Sequence, residues 1–256
     1  MRRLAIGLVA AAAGMAPLIT SAAASASPAV TRPVIFSAEQ AGAAVHKTGV
    51  HYRFVETTFN LPNSSKIPYT SGGGLSVQFR SADDIFVLGI SAVPGSQWNA
   101  AAADLQPGNC VTAGCIFYSN GNSPVMNAGD NVTLSAFYNA STGFMFFKAN
   151  DNTSGTFFAG RFSDPGALFG SVRVGAEFAV FRAGTPGSAF IDPPADFRLA
   201  LLTNTKVTQL NGTHVSLVKS AQVVETSDGT SAGTVQVNAP TVFNSGMNTG
   251  IWVRHH

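Results

Sequence analysis

The chain has 256 residues, and its 15 Lys and Arg against 13 Asp and Glu give a formal net charge of +2. Charged residues make up only 11% of the sequence and form no basic run. A nucleic-acid-binding surface needs concentrated positive charge, and attraction to an anionic membrane surface needs the same. We therefore expect neither nucleic acid nor a membrane surface as a partner.

The first 26 residues have the three parts of a secretory signal. Arg2 and Arg3 form a basic head, residues 4–15 are mostly apolar, and Ala24-Ser25-Ala26 is a small-residue cleavage site. Pro17 and the excess of Ala over Leu disfavour an uncleaved anchor, and no later segment has the ~20 uninterrupted apolar residues that a membrane span needs. We expect cleavage after Ala26 and a secreted mature chain with 13 basic and 13 acidic residues.

After the signal, short β-rich runs alternate with turn residues. The clearest hairpin joins residues 132–138 to 144–149 through Asn139-Ala-Ser-Thr-Gly143. No helical period reaches ten residues, and Ala100–Leu105 is the one segment that could form a single helical turn. The other predicted strands are 52–59, 75–79, 84–93, 157–158, 172–181, 198–202, 214–219, 222–225, 234–237 and 251–254.

The alternation of short β-rich runs with turn residues predicts an all-β fold. With 26 Gly, 19 Phe and closely spaced strands, the prediction is a two-sheet antiparallel sandwich with jelly-roll-like connections. Residues 27–39 are interpreted as an N-terminal tail and residues 40–256 as a single domain. We find no internal repeat and expect a monomer.

The chain has two cysteines, Cys110 and Cys115. In an oxidising compartment they predict one local disulfide that pins a short loop. A metal site would need two further ligands, and none lies nearby in sequence. We therefore expect no metal and no other cofactor.

Motifs for serine hydrolases, zinc peptidases and phosphate-binding loops are absent from the sequence. Glu177 is the notable carboxylate, because it lies inside the predicted strand 172–181 among apolar and small residues. By alternation it shares a face with Arg173, Gly175 and Ala179. Two interpretations stay open: a solvent-facing side chain, or a partly desolvated acid or base on the floor of a concave site.

Several segments, in the same order, resemble the glutamic peptidases of the eqolisin type. The resemblance covers roughly residues 40–254. The segments that carry it are Ala41-Gly-Ala-Ala-Val45, Val55-Glu-Thr-Thr-Phe-Asn-Leu-Pro62, Met126-Asn-Ala-Gly-Asp130, Asn152-Thr-Ser-Gly155 and Ala176-Glu-Phe178.

The resemblance implies a lectin-like, concanavalin A-like β-sandwich and acid endopeptidase activity. It implies that Glu177 is the general base and that a Gln on a neighbouring strand helps to stabilise the oxyanion. Here Val87 stands where that Gln is expected, and Gln40 stands where the family has a Trp. Gln78 is the candidate binding residue that could occupy part of the same surface. Loss of one oxyanion donor costs roughly 10²–10³ in rate.

Three functions follow as hypotheses. The first is a secreted glutamic-peptidase-like protein with weak or no activity, and its partner is a polypeptide in a concave cleft. The second is a non-catalytic lectin-like module that binds glycan or peptide there, with Trp98, Tyr118 and Tyr138 as stacking surfaces or core residues. The third is a glycosidase, which needs a second carboxylate about 5–10 Å from Glu177; only Asp83 or Asp84 offers one.

Overall fold

The structure is a computed structural model, and the statements below concern the residues that it describes. The predicted signal and Cys110 lie outside them, as does most of the predicted tail. Cys115 is the first residue of a strand, and the predicted disulfide stays a prediction. The described residues are 34–37, 40–66, 73–93, 95–105, 115–118, 124–177, 200–217, 221–226, 237–245 and 248–255.

Sixteen strands carry the fold in these ranges. They are β1 (Val34–Ser37), β2 (Gln40–His46), β3 (Tyr52–Asn60), β4 (Gly73–Arg80), β5 (Ile85–Ala92), β6 (Asn99–Leu105), β7 (Cys115–Tyr118), β8 (Asn131–Asn139), β9 (Phe144–Asp151), β10 (Phe157–Ser163), β11 (Ser171–Glu177), β12 (Ala200–Gln209), β13 (His214–Val215), β14 (Ala221–Thr226), β15 (Val237–Ser245) and β16 (Asn248–His255).

The strands form two sheets. The first sheet has the order β1-β14-β2-β11-β4-β5-β6-β7, and the second has the order β10-β9-β8-β3-β12-β16-β15, with β13 paired to β12. The pairings are antiparallel except for β1 and β14, which run parallel. The predicted all-β, two-sheet antiparallel fold is confirmed.

Two-residue alternation builds the core between the sheets. In β8, Val132, Leu134, Ala136 and Tyr138 are all buried, while the residues between them are partly or fully exposed. At one end of the sandwich, aromatic rings from both sheets meet in tilted and edge-on arrangements, which aromatic pairs prefer over face-to-face stacking. Around Phe86, the ring centroids of Phe79, Phe147 and Phe162 lie 6.4, 5.9 and 5.9 Å away.

The predicted helical turn at Ala100–Leu105 is wrong, because these residues belong to β6. The strand pairs with β5 on one side and β7 on the other. Ala100 and Ala102 face the core, and Ala103 is also buried. Small side chains fit a strand that is covered on both faces, and this packing overrides the helical preference of alanine.

Other strands differ from prediction mainly in length. The strand at 52–59 and the hairpin of β8 and β9 are confirmed. Of the predicted run 214–219, residues 214–217 are described, and among these the strand is His214–Val215. Residues 34–37, from the predicted tail, form β1 at the edge of the first sheet.

Among the described residues, no helix is both long and apolar enough to cross a membrane.

Phe86→Ala should lower the free energy of unfolding by about 3–5 kcal/mol, because it opens a cavity among rings from both sheets. The matched control is Phe157→Ala, since that ring is 58% exposed and contacts Lys148 Nζ at 4.7 Å. We expect the control to cost about 1 kcal/mol or less. Urea unfolding of both variants measures the difference, and equal losses would contradict the proposed core.

Candidate functional site

Glu177 is the last residue of β11, where this strand lies between β2 and β4. Its register partners are Gln40 on β2 and Gly74 on β4. Residues directly opposite each other in an antiparallel pair have Cβ atoms about 4.5–5.5 Å apart. The backbone therefore brings an amide-bearing residue to the position beside Glu177, from a part of the chain far away in sequence.

Gln78, the predicted binding residue, lies elsewhere on the same sheet. It pairs with Arg173 on β11 and is four residues from Gly74 along β4, and four residues of strand span about 13 Å. The side chain is 2% exposed and accepts a long hydrogen bond, 3.5 Å, from Arg80 Nη1. The register does not bring Gln78 beside Glu177, and its binding role stays a prediction.

Val87 is the register partner of Gln78 on β5. Its side chain is fully buried. An isopropyl group offers no hydrogen-bond donor, so the position where the resemblance implies an amide is apolar here.

A row of small residues crosses the sheet between the level of Glu177 and the level of Gln78. It consists of Gly42, Gly175, Ser76 and Gly89 on four neighbouring strands. Ser76 is 2% exposed, and its Oγ finds no hydrogen-bond partner within the described part of the chain. Buried hydroxyls are normally paired, so a polar group without a partner stands two residues along β4 from Gly74.

Two glycines are required where the strands approach each other closely. A Cβ added to Gly42 would collide with the carbonyl oxygen of Val174 on β11, and one added to Gly74 would come within 2.7 Å of the carbonyl oxygen of Ile90 on β5. Both glycines flank the end of β11, so they set how tightly β2, β11 and β4 pack at Glu177.

The glycosidase hypothesis is not supported by the placement of the carboxylates. The turn that carries Asp83 and Asp84 follows Arg80, which pairs with Ser171 at the opposite end of β11 from Glu177. Six residues of strand span about 20 Å, whereas the two glycosidase carboxylates lie within about 10 Å. Within the described ranges, no group of three or more His, Cys, Asp or Glu could hold a metal ion.

Two of the aromatic residues considered for glycan stacking are core residues. Trp98 is 1% exposed and donates from Nε1 to the carbonyl oxygen of Pro62 at 3.0 Å. Tyr138 is 2% exposed and donates its hydroxyl to the backbone carbonyl of Asp164 at 2.9 Å. Their rings are not available to a ligand, which confirms the core interpretation for both.

The fold is similar to solved structures of glutamic peptidases. Scytalido-glutamic peptidase matches in two structures, one with a transition state analog inhibitor (TM-score 0.61) and one with a peptide-based transition state analog (TM-score 0.58), each at 16% identity. SCP-B, a member of the eqolisin family of peptidases in complex with the tripeptide Ala-Ile-His, matches with a TM-score of 0.56 and 17% identity. Each match covers 86% of this chain and 99% of the other.

The chain therefore has an eqolisin-like fold, as the sequence resemblance implied. No protein-family profile and no curated protein sequence matches it. At this level of identity the structural likeness establishes the fold alone, and any chemical activity has to be argued from the residues of the site.

Gly42→Ala should destabilise the protein by about 1–3 kcal/mol, because the new methyl group forces β2 away from β11. Gly170→Ala is the matched control, since it lies just before β11 with no atom within 4 Å of the added Cβ. The control should be neutral or stabilising by less than about 1 kcal/mol. Chemical denaturation measures both variants, and a neutral Gly42→Ala would show that this close approach is not required.

Proposed function

We propose that this chain is a secreted glutamic-peptidase-like protein with weak or no acid endopeptidase activity, acting on or binding polypeptide. Three features support the proposal. They are the signal-like first 26 residues, a fold similar to peptidases solved with peptide-like ligands, and the register of Glu177. The observation that carries the proposal is the direct cross-strand pairing of Glu177 with Gln40.

A carboxylate and an amide at this spacing are suited to hydrolysis of a peptide bond. The Glu177 carboxylate would take a proton from water, which attacks the scissile carbonyl, and would return that proton to the leaving amine. The Gln40 amide would donate a hydrogen bond to the water or to the oxyanion. The chain supplies this amide from β2, whereas β5 presents Val87.

Val87, in place of a hydrogen-bond donor on β5, is the reason that we propose weak or no activity. A tetrahedral oxyanion needs donors that are already aimed at it, and each missing donor costs roughly 10²–10³ in rate. With Val87 on β5, one donor is lost relative to the pattern that the resemblance implies. Gln40 replaces it only if its amide reaches the same oxygen, so the expected activity is a small residual one.

The mature chain should cleave an unfolded protein substrate slowly at about pH 3–4, where carboxyl groups near their normal pKa values are partly protonated. Glu177→Gln should abolish the cleavage, and Gln40→Ala should reduce it at least about tenfold. The control is Gln97→Ala, because Gln97 is exposed and lies in the turn before β6. Fragment release followed by mass spectrometry gives the rates.

The outcomes separate the parts of the proposal. Cleavage that survives Glu177→Gln would come from another group or a contaminant, and would remove Glu177 as the base. Unchanged cleavage by Gln40→Ala would remove the amide on β2 from the mechanism. If the wild-type chain cleaves nothing, the endopeptidase hypothesis is rejected and the non-catalytic binding hypothesis is kept.

The second candidate is a non-catalytic lectin-like module that binds peptide or glycan in a concave sheet. The apolar Val87 favours it, because a site without its oxyanion donor can still bind an extended chain. The SCP-B structure contains the tripeptide Ala-Ile-His, so the same tripeptide is a direct probe for this chain. Calorimetry with the tripeptide and a glycan array, both at about pH 4, distinguish the two ligand classes.

A further inference from the structure

Three aspartates stand where three strands leave the core, at one end of the sandwich. Asp84 immediately precedes β5, Asp104 lies near the end of β6, and Asp164 immediately follows β10. By alternation, each is on the side of its strand that carries core residues. The core residues two positions away are Phe86, Ala102 and Phe162, respectively.

Two of these aspartates, Asp84 and Asp104, are buried and Asp164 is half-buried, and none has a positive partner among the described residues. Asp84 is 7% and Asp104 is 5% exposed, and Asp84 lies within hydrogen-bond reach of both Asp104 and Asp164. Within the described ranges, the one salt bridge joins Lys206 to Glu56 and involves none of the three.

Two oxygens in this group have no donor. The Oδ1 atoms of Asp84 and Asp104 find no hydrogen-bond partner among the described residues. Ionised carboxylates only accept hydrogen bonds, whereas a protonated carboxyl donates one. A proton held between the carboxyl groups is therefore the ligand that would satisfy these oxygens.

The electrostatics act in the same direction. Burial raises the pKa of Asp84 to about 9, and the hydrogen bonds to Asp104 and Asp164 and their charges add to the rise. Burial also raises the pKa of Asp164; the hydrogen bond from Asp84 opposes this rise, and the charge of Asp104 adds to it. The nearby Tyr138 on β8 has its pKa raised by burial and by the charge of Asp164. In the part of the chain that the structure describes, the titratable groups that act on one another here are Asp84, Asp104, Asp164 and Tyr138, which are all acids.

The three aspartates come from both sheets. Asp84 and Asp104 belong to the first sheet, while Asp164 follows β10 of the second sheet and begins the connection to β11. The backbone at Asp164 is anchored, since its N–H donates to Gly143 at 2.7 Å and its carbonyl accepts from the Tyr138 hydroxyl. Its carboxyl then links this anchored turn to the first sheet.

We propose that Asp84, Asp104 and Asp164 form an aspartate clasp, in which a proton on Asp84 is shared with the neighbouring carboxyl groups at acid pH and holds the β10–β11 connection against the first sheet. When Asp84 loses this proton, its negative charge is buried beside other carboxyl groups and is repelled by them, so the connection loosens. A metal ion could compensate the charge in principle, but the described side chains contain no group arranged to hold one.

The direction of the pH dependence follows from linkage. An aspartate has a pKa of about 3.9 in an unfolded chain, and the folded value of Asp84 lies far above it. The folded state therefore binds more protons than the unfolded state between these values. The stability contributed by the clasp is complete below about pH 4 and is lost as the pH rises toward about 9.

Thermal unfolding of the full mature chain as a function of pH tests the clasp. We expect the wild-type Tm to fall by about 5 °C or more between pH 4 and pH 9. Asp84→Asn removes the titrating carboxyl and keeps its shape, so its Tm should vary less with pH and exceed the wild-type Tm at pH 9. Asp83→Asn, at an exposed neighbouring position, should keep the wild-type profile.

Asp104→Asn is the second variant, and it should flatten the profile in the same way even if Asp84→Asn folds poorly. Backbone amide protection at Asp164 and Ala167, compared at pH 5 and pH 8, reports the local loosening. A flat wild-type profile would overturn the clasp, as would the same flattening in Asp83→Asn. A Tm at pH 9 that Ca²⁺ or Mg²⁺ restores in wild type but not in Asp84→Asn would overturn it in favour of a cation site.

Discussion

The pairing of β11 between β2 and β4 is the constraint on which the site depends. Glu177 and Gln40 are far apart in sequence, and the backbone pairing of β11 with β2 makes them cross-strand neighbours. Gly42 and Gly74 hold this register tightly, since neither position has room for a methyl group. The buried core beneath fixes the register further, because a slip of one residue would turn every core side chain of β11 outward.

Much of the fold could be predicted because the signals are local. The hairpin of β8 and β9 alternates with period two and has a turn rich in Asn, Ser and Gly, so residues close in sequence determine it. β6 could not be predicted this way, since its alanines form a strand only because β5 and β7 lie on both sides. The position of Gln40 beside Glu177 and the grouping of the three aspartates are long-range results of topology, and each residue by itself looks like ordinary strand or turn sequence.

The likeness to glutamic peptidases and the presence of Val87 are compatible because fold and chemistry have different requirements. Packing between the sheets needs the alternating core residues of β5, which are Phe86, Leu88 and Ile90. Val87 lies on the other face of that strand, so the core between the sheets places no requirement for an amide or an apolar group at this position. Catalysis needs donors aimed at one oxygen, and it is sensitive to a single side chain. A sandwich can therefore keep its architecture at 16–17% identity to known peptidases while its catalytic groups change.

The proposed aspartate clasp and the proposed hydrolysis at Glu177 would both favour acid pH, for separate physical reasons. Buried carboxyl groups without positive partners stabilise a fold only while they hold protons, so the clasp favours acidic surroundings whether or not the protein is an enzyme. The connection that begins at Asp164 leads directly into β11, the strand that ends at Glu177. Because a loosened connection frees the start of β11, the register that pairs Glu177 with Gln40 should be held most firmly at the acid pH where a carboxyl-based hydrolysis would operate.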